Sequence, residues 1–232
     1  MLGIIGAMDE EVAKIKEKMT DVSVDNISGM EFYKGKLSDL DVVVVRSGIG
    51  KVNAAMCTQT LAVKYQVKAI INTGIAGSLN ADINIGDIVL STDTLEHDMD
   101  AVAFGYPVGQ IPRMNTLSFE ADEKLRILAK EACLKVNPDI SVFEGRVVSG
   151  DQFISDKQKK EWLVSTFHGY CTEMEGAAIG HAAYLNNIPF LIIRAISDKA
   201  DDSASVDYPT FEAKAIEHSV KLLLAMCEAY GK

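Results

Sequence analysis

The stretch from Cys171 to Ala200, CTEMEGAAIGHAAYLNNIPFLIIRAISDKA, constrains the fold more than any other. Gly176-Ala177-Ala178 opens a helix whose small side chains allow close packing, Asn186-Asn187 is turn chemistry, and Pro189 suits the first residue of a strand. Phe190 to Ile196 is too apolar for a half-exposed strand, so it predicts one buried on both faces. Read as one parallel strand-helix-strand unit, the stretch sets Glu175 and Asp198 past strand ends on the same side of a sheet. Open α/β sheets bind ligands there.

The 232-residue chain is long enough to bury a substantial core, and without linker, repeat or low-complexity tract it reads as a single α/β domain over residues 1–232. A formal charge of −10 argues against a nucleic-acid partner, because phosphate contacts need a basic face. A small-molecule substrate fits better. Cys57, Cys133, Cys171 and Cys227 are widely separated and read as buried free thiols in a reducing compartment. MLGIIGAMDEEV has no basic leader character, and no apolar run approaches the roughly 18 residues of a membrane span. These features predict a cytoplasmic protein with no membrane association.

Leu2 to Gly6 predicts a first strand, and Met8, Val12, Ile15 and Met19 predict the inner face of a helix. Asp9, Glu10 and Glu11 fall in its first turn, where the helix dipole favours acids and one of them can turn back to the sheet edge. Met30 to Leu37 and Asp41 to Arg46 predict a hairpin-like pair, hence a mixed sheet. Ser47 to Lys51 is a glycine turn opening a helix to about Tyr65, but its spacing is neither a P-loop nor a dinucleotide fingerprint. Ala69 to Asn72 predicts a buried strand ending in the glycine turn Thr73 to Gly77, and Gly86 to Glu96 a long strand. His97-Asp98 has no second His or Cys at ligand spacing, which argues against a metal centre. The apolar loop Ala101 to Pro112 predicts an interface with a neighbouring subunit. Asp122 to Val136 is an amphipathic helix, Val142 to Ser149 a strand, and Ser155 with Gln158 a capping box that starts a helix at Asp156. Lys199 to Asp207 reads as a polar lid, followed by a last helix with Pro209 in its first turn.

Together the strand ends offer Glu11, Glu175 and Asp198, the apolar side chains Met8, Ile49, Phe153, Ile154 and Met174, and glycine-rich backbone. With no Ser-His-Asp set and no CxxC, carboxylates must carry any catalysis. Acids suit glycosidic cleavage: one protonates the leaving group, another activates water, and a third accepts hydrogen bonds from sugar hydroxyls.

GIIGAMDEEV, SGIGKVNAA, NTGIAG, GDIV, HDMDAVAFGYPVGQIP, VSGDQFI, EMEGAAI and RAISDKAD, in this order along the whole chain, resemble the 5′-methylthioadenosine/S-adenosylhomocysteine nucleosidase family of the purine and uridine phosphorylase superfamily. The resemblance implies a hydrolase cutting the adenine–ribose bond of 5′-thio-substituted adenosines. It further implies a three-layer α/β/α fold with a mixed, barrel-like central sheet, a homodimer, and no metal or organic cofactor. It assigns Glu11 to deprotonating the attacking water and Asp198, with Ser197 beside it, to protonating adenine N7. Glu175 accepts the ribose hydroxyls, Met174 lies against the sugar, Phe153 stacks on adenine, the Ile154 backbone reads its edge, and Gly77 stands at the water and sugar end. Met8, Ile49 and Tyr208 enclose the alkylthio tail, with Phe104 and Pro112 arriving from the partner subunit. The sequence departs from the pattern at Ile75, where relatives commonly carry Ser, at Tyr208, where Phe is expected, and at Gly176, where Ala is more usual.

Three other functions compete. A phosphorylase needs cationic donors for phosphate, and only Arg46 and Arg194 stand at strand ends. A non-catalytic purine sensor would lack Glu11 or Asp198, and both are present. A hydrolase of aminofutalosine-type nucleosides would differ in the tail pocket alone.

Overall fold

In the computed structural model, which describes residues 1–230, the apolar runs become the strands of one mixed sheet. In chain order the elements are β1 (Leu2–Gly6), α1 (Asp9–Lys16), β2 (Thr20–Ile27), β3 (Met30–Leu37), β4 (Leu40–Arg46), α2 (Lys51–Val63), β5 (Ala69–Ser78), β6 (Ile88–Glu96), β7 (Phe119–Glu120), α3 (Glu123–Val136), β8 (Val142–Ser149), α4 (Lys157–Phe167), β9 (Cys171–Glu173), α5 (Gly176–Leu185), β10 (Phe190–Asp198) and α6 (Ala204–Tyr230). The strand order is β10-β6-β8-β9-β5-β1-β4-β3-β2, with β7 at the side of β6. Because β10 also pairs with β5, the strands β10, β6, β8, β9 and β5 close into a ring. On one side α2 packs on α5, while α1 and α3 pack on α6, giving the expected α/β/α layers around a barrel-like sheet.

The centre of the sheet follows from composition. Every residue of β1, β5 and β10 is buried, as continuous apolar runs with helices on both sides require. β1 lies parallel between β4 and β5. The buried face of α5 is built from Gly176, Ala177, Ala178, Gly180 and Ala183, so the helix sits close to the barrel. All four cysteines are buried and free. No helix among the described residues is long and apolar enough to cross a membrane.

Several local expectations are corrected. The stretch from Cys171 to Ala200 is not a parallel unit: β9 runs antiparallel to β5, and β10 parallel to it, so β5 separates two strands of opposite direction. β5 runs through Ser78, so Thr73 to Gly77 is strand rather than turn. α1 is shorter than predicted, with Met8 as its N-cap and Met19 buried beyond its end. β2 was not predicted; its sequence TDVSVDNI lies on the sheet edge, and only intermediate to exposed residues occur along it. α4 is capped by Asp156, whose carboxylate accepts the Lys159 N–H at 2.7 Å, in place of the Ser155–Gln158 box. α6 begins at Ala204, which puts Pro209 in its second turn and shortens the polar loop before it.

Candidate active site

The carboxyl ends of β1, β5 and β10 open into a cavity of about 600 Å³ whose wall includes Met8, Glu11, Ile49, Gly77, Phe153, Met174, Glu175, Ser197, Asp198 and Tyr208. A narrower recess of about 30 Å³ shares Gly77, Phe153, Met174 and Asp198 with it and adds Ile154. Of the site residues that the family resemblance implies, Phe104 and Pro112 alone stand apart; Phe104 is 83% exposed.

Glu11 owes its position to the first turn of α1. From the third helical position its carboxylate reaches back to the start of the helix, where Oε2 accepts the N–H groups of Ala7 at 2.6 Å and Met8 at 3.0 Å. Its Oε1 accepts the Ile75 N–H at 3.2 Å. The donor is backbone, so the side chain at position 75 is free to depart from the family pattern. Burial raises the Glu11 pKa above the ordinary carboxylate value, opposed by Arg194 and by those three N–H groups.

β5 supplies the floor because it has no side chain at two places. A Cβ on Gly74 would stand 2.0 Å from Arg194 Nη1 and 2.6 Å from Glu11 Oε1; one on Gly77 would stand 2.6 Å from Asp198 Oδ1. These separations lie far inside van der Waals contact, so Gly74→Ala or Gly77→Ala would displace a functional side chain. Gly77 thus lies against Asp198, while Gly74 and Ile75 stand beside Glu11.

Asp198 ends β10 at a register shift opposite Gly77. Its Oδ1 accepts the Ala200 N–H at 2.8 Å, and its Oδ2 accepts the Ser197 hydroxyl at 2.8 Å. Burial raises its pKa, and the acids Asp207 and Asp201 add to the effect, against the two hydrogen bonds.

Running back along β5 from Ser78 and Gly77, β9 carries the chain toward Glu175, the N-cap of α5. Glu175 Oε1 accepts the Gly50 N–H at 2.9 Å. Its pKa is raised by burial and by Glu173, and lowered by Arg194. At the opposite wall the Tyr208 hydroxyl donates to Glu212 at 2.9 Å and meets Met8 Sδ at 3.5 Å, while Phe153 packs edge-on against its ring.

Sequence reasoning gave no role to Glu173 and considered Arg194 only as a phosphate ligand. Arg194 is 1% exposed and donates through Nη2 to Asn72 Oδ1 at 2.5 Å and to Glu173, with Glu175 Oε2 at 3.6 Å. Glu173 also accepts the Ser149 hydroxyl and the N–H groups of Glu175 at 3.2 Å and Gly176 at 2.8 Å. The available signal was an arginine inside the apolar run FLIIRAIS, since a charge so placed needs a buried acid nearby. Arg46 is partly exposed, pairs with Asp9 at 3.2 Å and lies outside the cavity wall.

His97 and Asp98, weighed above as metal ligands, separate in role: Asp98 takes the Lys51 ammonium at 2.7 Å, and the buried His97 ring nitrogens have no hydrogen-bond partner. Among the described residues no group of three or more His, Cys, Asp or Glu is arranged to hold a metal ion.

Compared with known proteins, residues 1–228 match the family model of the phosphorylase superfamily. The chain is 40% identical over 224 residues to the 5′-methylthioadenosine/S-adenosylhomocysteine nucleosidase of Bacillus cytotoxicus, with 96% of each chain covered. The crystal structure of the Neisseria meningitidis enzyme of that name, in complex with methylthio-immucillin-A, superposes with a TM-score of 0.94 at 34% identity over 98% of both chains. The futalosine hydrolase of Helicobacter pylori superposes with a TM-score of 0.93 at 35% identity, covering 98% of this chain and 97% of that one. With sequence, fold and cavity in agreement over nearly its full length, the chain belongs to the 5′-methylthioadenosine/S-adenosylhomocysteine nucleosidase family of the phosphorylase superfamily.

Proposed function

We propose that this protein hydrolyses the N-glycosidic bond of 5′-methylthioadenosine and S-adenosylhomocysteine, and of 5′-deoxyadenosine, releasing adenine and the 5′-substituted ribose. The observation that carries this reading is a single cavity with a buried acid on each side, Asp198 on β10 and Glu11 on α1, and a third, Glu175, between the sheet and α5. Asp198 delivers a proton to adenine N7 as the bond from C1′ to N9 breaks and its electron pair passes to the base. The cationic sugar forms beside the acids Glu11 and Glu175, which stabilise it. Water adds to C1′ and gives its proton to Glu11, whose three backbone donors and neighbouring Arg194 favour the ionised form needed for that step.

Ser197 holds the Asp198 carboxyl, Glu175 accepts the sugar hydroxyls, and Met174 lies against the ring. Phe153 and the backbone of Ile154 receive adenine at the end of the cavity beside Gly77 and Asp198. Met8, Ile49 and Tyr208 line the thioalkyl end.

The site also supports water over phosphate as nucleophile. Arg194 is the cavity's arginine, and Asn72, Glu173 and Glu175 already occupy its surroundings. An anion entering beside Glu11 would meet like charge at short range.

A homodimer completes the site in this reading: the 101–112 loop brings Phe104 and Pro112 over the partner's thioalkyl end. Phe104 at 83% exposure, with Val102 at 54%, is an apolar surface of the kind an interface covers. Phe104→Ser is expected to weaken the dimer or raise KM severalfold with kcat little changed, read by sedimentation and initial rates. A change in neither assigns the loop elsewhere. The cellular role that follows is methionine salvage and removal of S-adenosylmethionine by-products in the cytoplasm.

The test is a substrate panel of methylthioadenosine, S-adenosylhomocysteine and an aminofutalosine-type nucleoside, with adenine release measured for each. Highest kcat/KM on the two thio-nucleosides is expected; activity confined to the third would replace the assignment with the futalosine-type reaction.

A further inference from the structure

The carboxylate of Glu175 accepts one hydrogen bond among the described residues, from the N–H of Gly50, since Arg194 stands at 3.6 Å. That N–H is aimed by an unusual backbone. Gly50 has φ 95° and ψ 162°, a conformation that residues with a side chain avoid, at the N-cap of α2. What fixes it lies outside the cavity. The Lys51 N–H donates to Asp151 Oδ1 at 2.8 Å, and the Lys51 ammonium spans Glu96 Oε2 at 3.0 Å and Asp98 Oδ1 at 2.7 Å at the end of β6. Asp98 Oδ2 in turn accepts the Asp151 N–H at 2.9 Å, which closes the set. The side chains of Lys51, Glu96 and Asp98 are only 19%, 9% and 15% exposed, so these contacts are screened by solvent less than ordinary surface pairs.

We propose that Lys51 and Asp151 are positioning residues for the sugar end of the site: they lock the Gly48 to Lys51 turn so that the Gly50 N–H holds Glu175 in the orientation that receives the sugar hydroxyls. Neither residue lines the cavity, so both act through Gly50 and Glu175. The inference rests on the assignment of Glu175 to the sugar hydroxyls. Small displacements of a substrate-orienting group cost rate steeply, which is why a clamp outside the cavity has a kinetic signature.

The experiment is a double-mutant cycle on kcat/KM for methylthioadenosine. Lys51→Met and Asp151→Ala are each made alone and combined with Glu175→Gln, and thermal midpoints are recorded for all. Asp151 is exposed, so its truncation leaves the core untouched even where Lys51→Met is too unstable to purify. Each single substitution is expected to lower kcat/KM about tenfold, and to lower it less than about twofold when Glu175→Gln is already present, because coupled residues are non-additive. Losses of equal size in both backgrounds, or no loss in the singles, would overturn the proposal while leaving Glu175 in its role. A Glu175→Gln enzyme as active as wild type would instead remove the sugar-hydroxyl assignment, and the proposal with it.

Discussion

Asp198→Asn is expected to keep the fold and to lower kcat by about 10²- to 10⁴-fold, the range typical of losing a general acid. The amide is isosteric, and its oxygen and nitrogen can still meet the Ala200 N–H and the Ser197 hydroxyl, the two groups that hold the side chain. Packing should therefore survive while the acidic proton is lost. Burial holds the Asp198 carboxyl above the ordinary carboxylate range, and in the proposed mechanism its reactive form is the protonated one, so the rate is expected to fall as pH rises through its pKa. In the proposed mechanism Glu11 works ionised, and it too is raised by burial, so the rate is expected to fall as pH drops through its pKa. In Asp198→Asn the alkaline limb that belongs to Asp198 should vanish and the acid limb remain. Near-wild-type kcat, or an unchanged alkaline limb, would assign protonation of the base to another group.

The second large effect is expected at the opposite wall. Glu11→Gln should still bind the nucleoside but lose about 10²- to 10⁴-fold in hydrolysis, since an amide cannot accept the proton of water. The substituted side chain has one acceptor oxygen where Glu11 uses two, for Ala7 and Met8 on one and Ile75 on the other. Keeping the pair at the helix start turns the amide nitrogen toward the Ile75 N–H, a donor against a donor, so a modest drop in thermal midpoint accompanies the kinetic loss. Calorimetric titration with a non-hydrolysable methylthioadenosine analogue separates the two effects. A Kd within a few-fold of wild type with collapsed turnover is the expected pair; unimpaired adenine release would take Glu11 out of the mechanism.

Much of the fold around this candidate site was legible in the sequence, for identifiable reasons. Continuous apolar runs marked β1 and β10 because a strand covered on both faces admits little else, and Glu11 and Asp198 at their ends followed from that. β2 was missed because an edge strand has no such requirement: Val22 and Val24 are each 44% exposed, and the pattern carries no core. Thr73 to Gly77 was misread for a different reason. Glycine at two positions signals a turn in local terms, whereas here it makes room for Arg194 and Asp198 arriving from β10, a neighbour distant in sequence. The direction of β9 was equally out of reach, since three residues give no periodicity and only the closure of the barrel sets which strands they join. The pairing of Arg194 with Glu173 is a long-range fact of the same kind, and it is what holds the charged floor of the cavity together.

The most direct test of the central claim is to incubate purified protein with 5′-methylthioadenosine in phosphate-free buffer, identify the sugar product, and repeat with phosphate added. Adenine and free methylthioribose released without phosphate, at a rate that phosphate does not raise, is the predicted result. Strict dependence on phosphate, with a sugar 1-phosphate as product, would contradict it and make the anion, rather than water held by Glu11, the nucleophile.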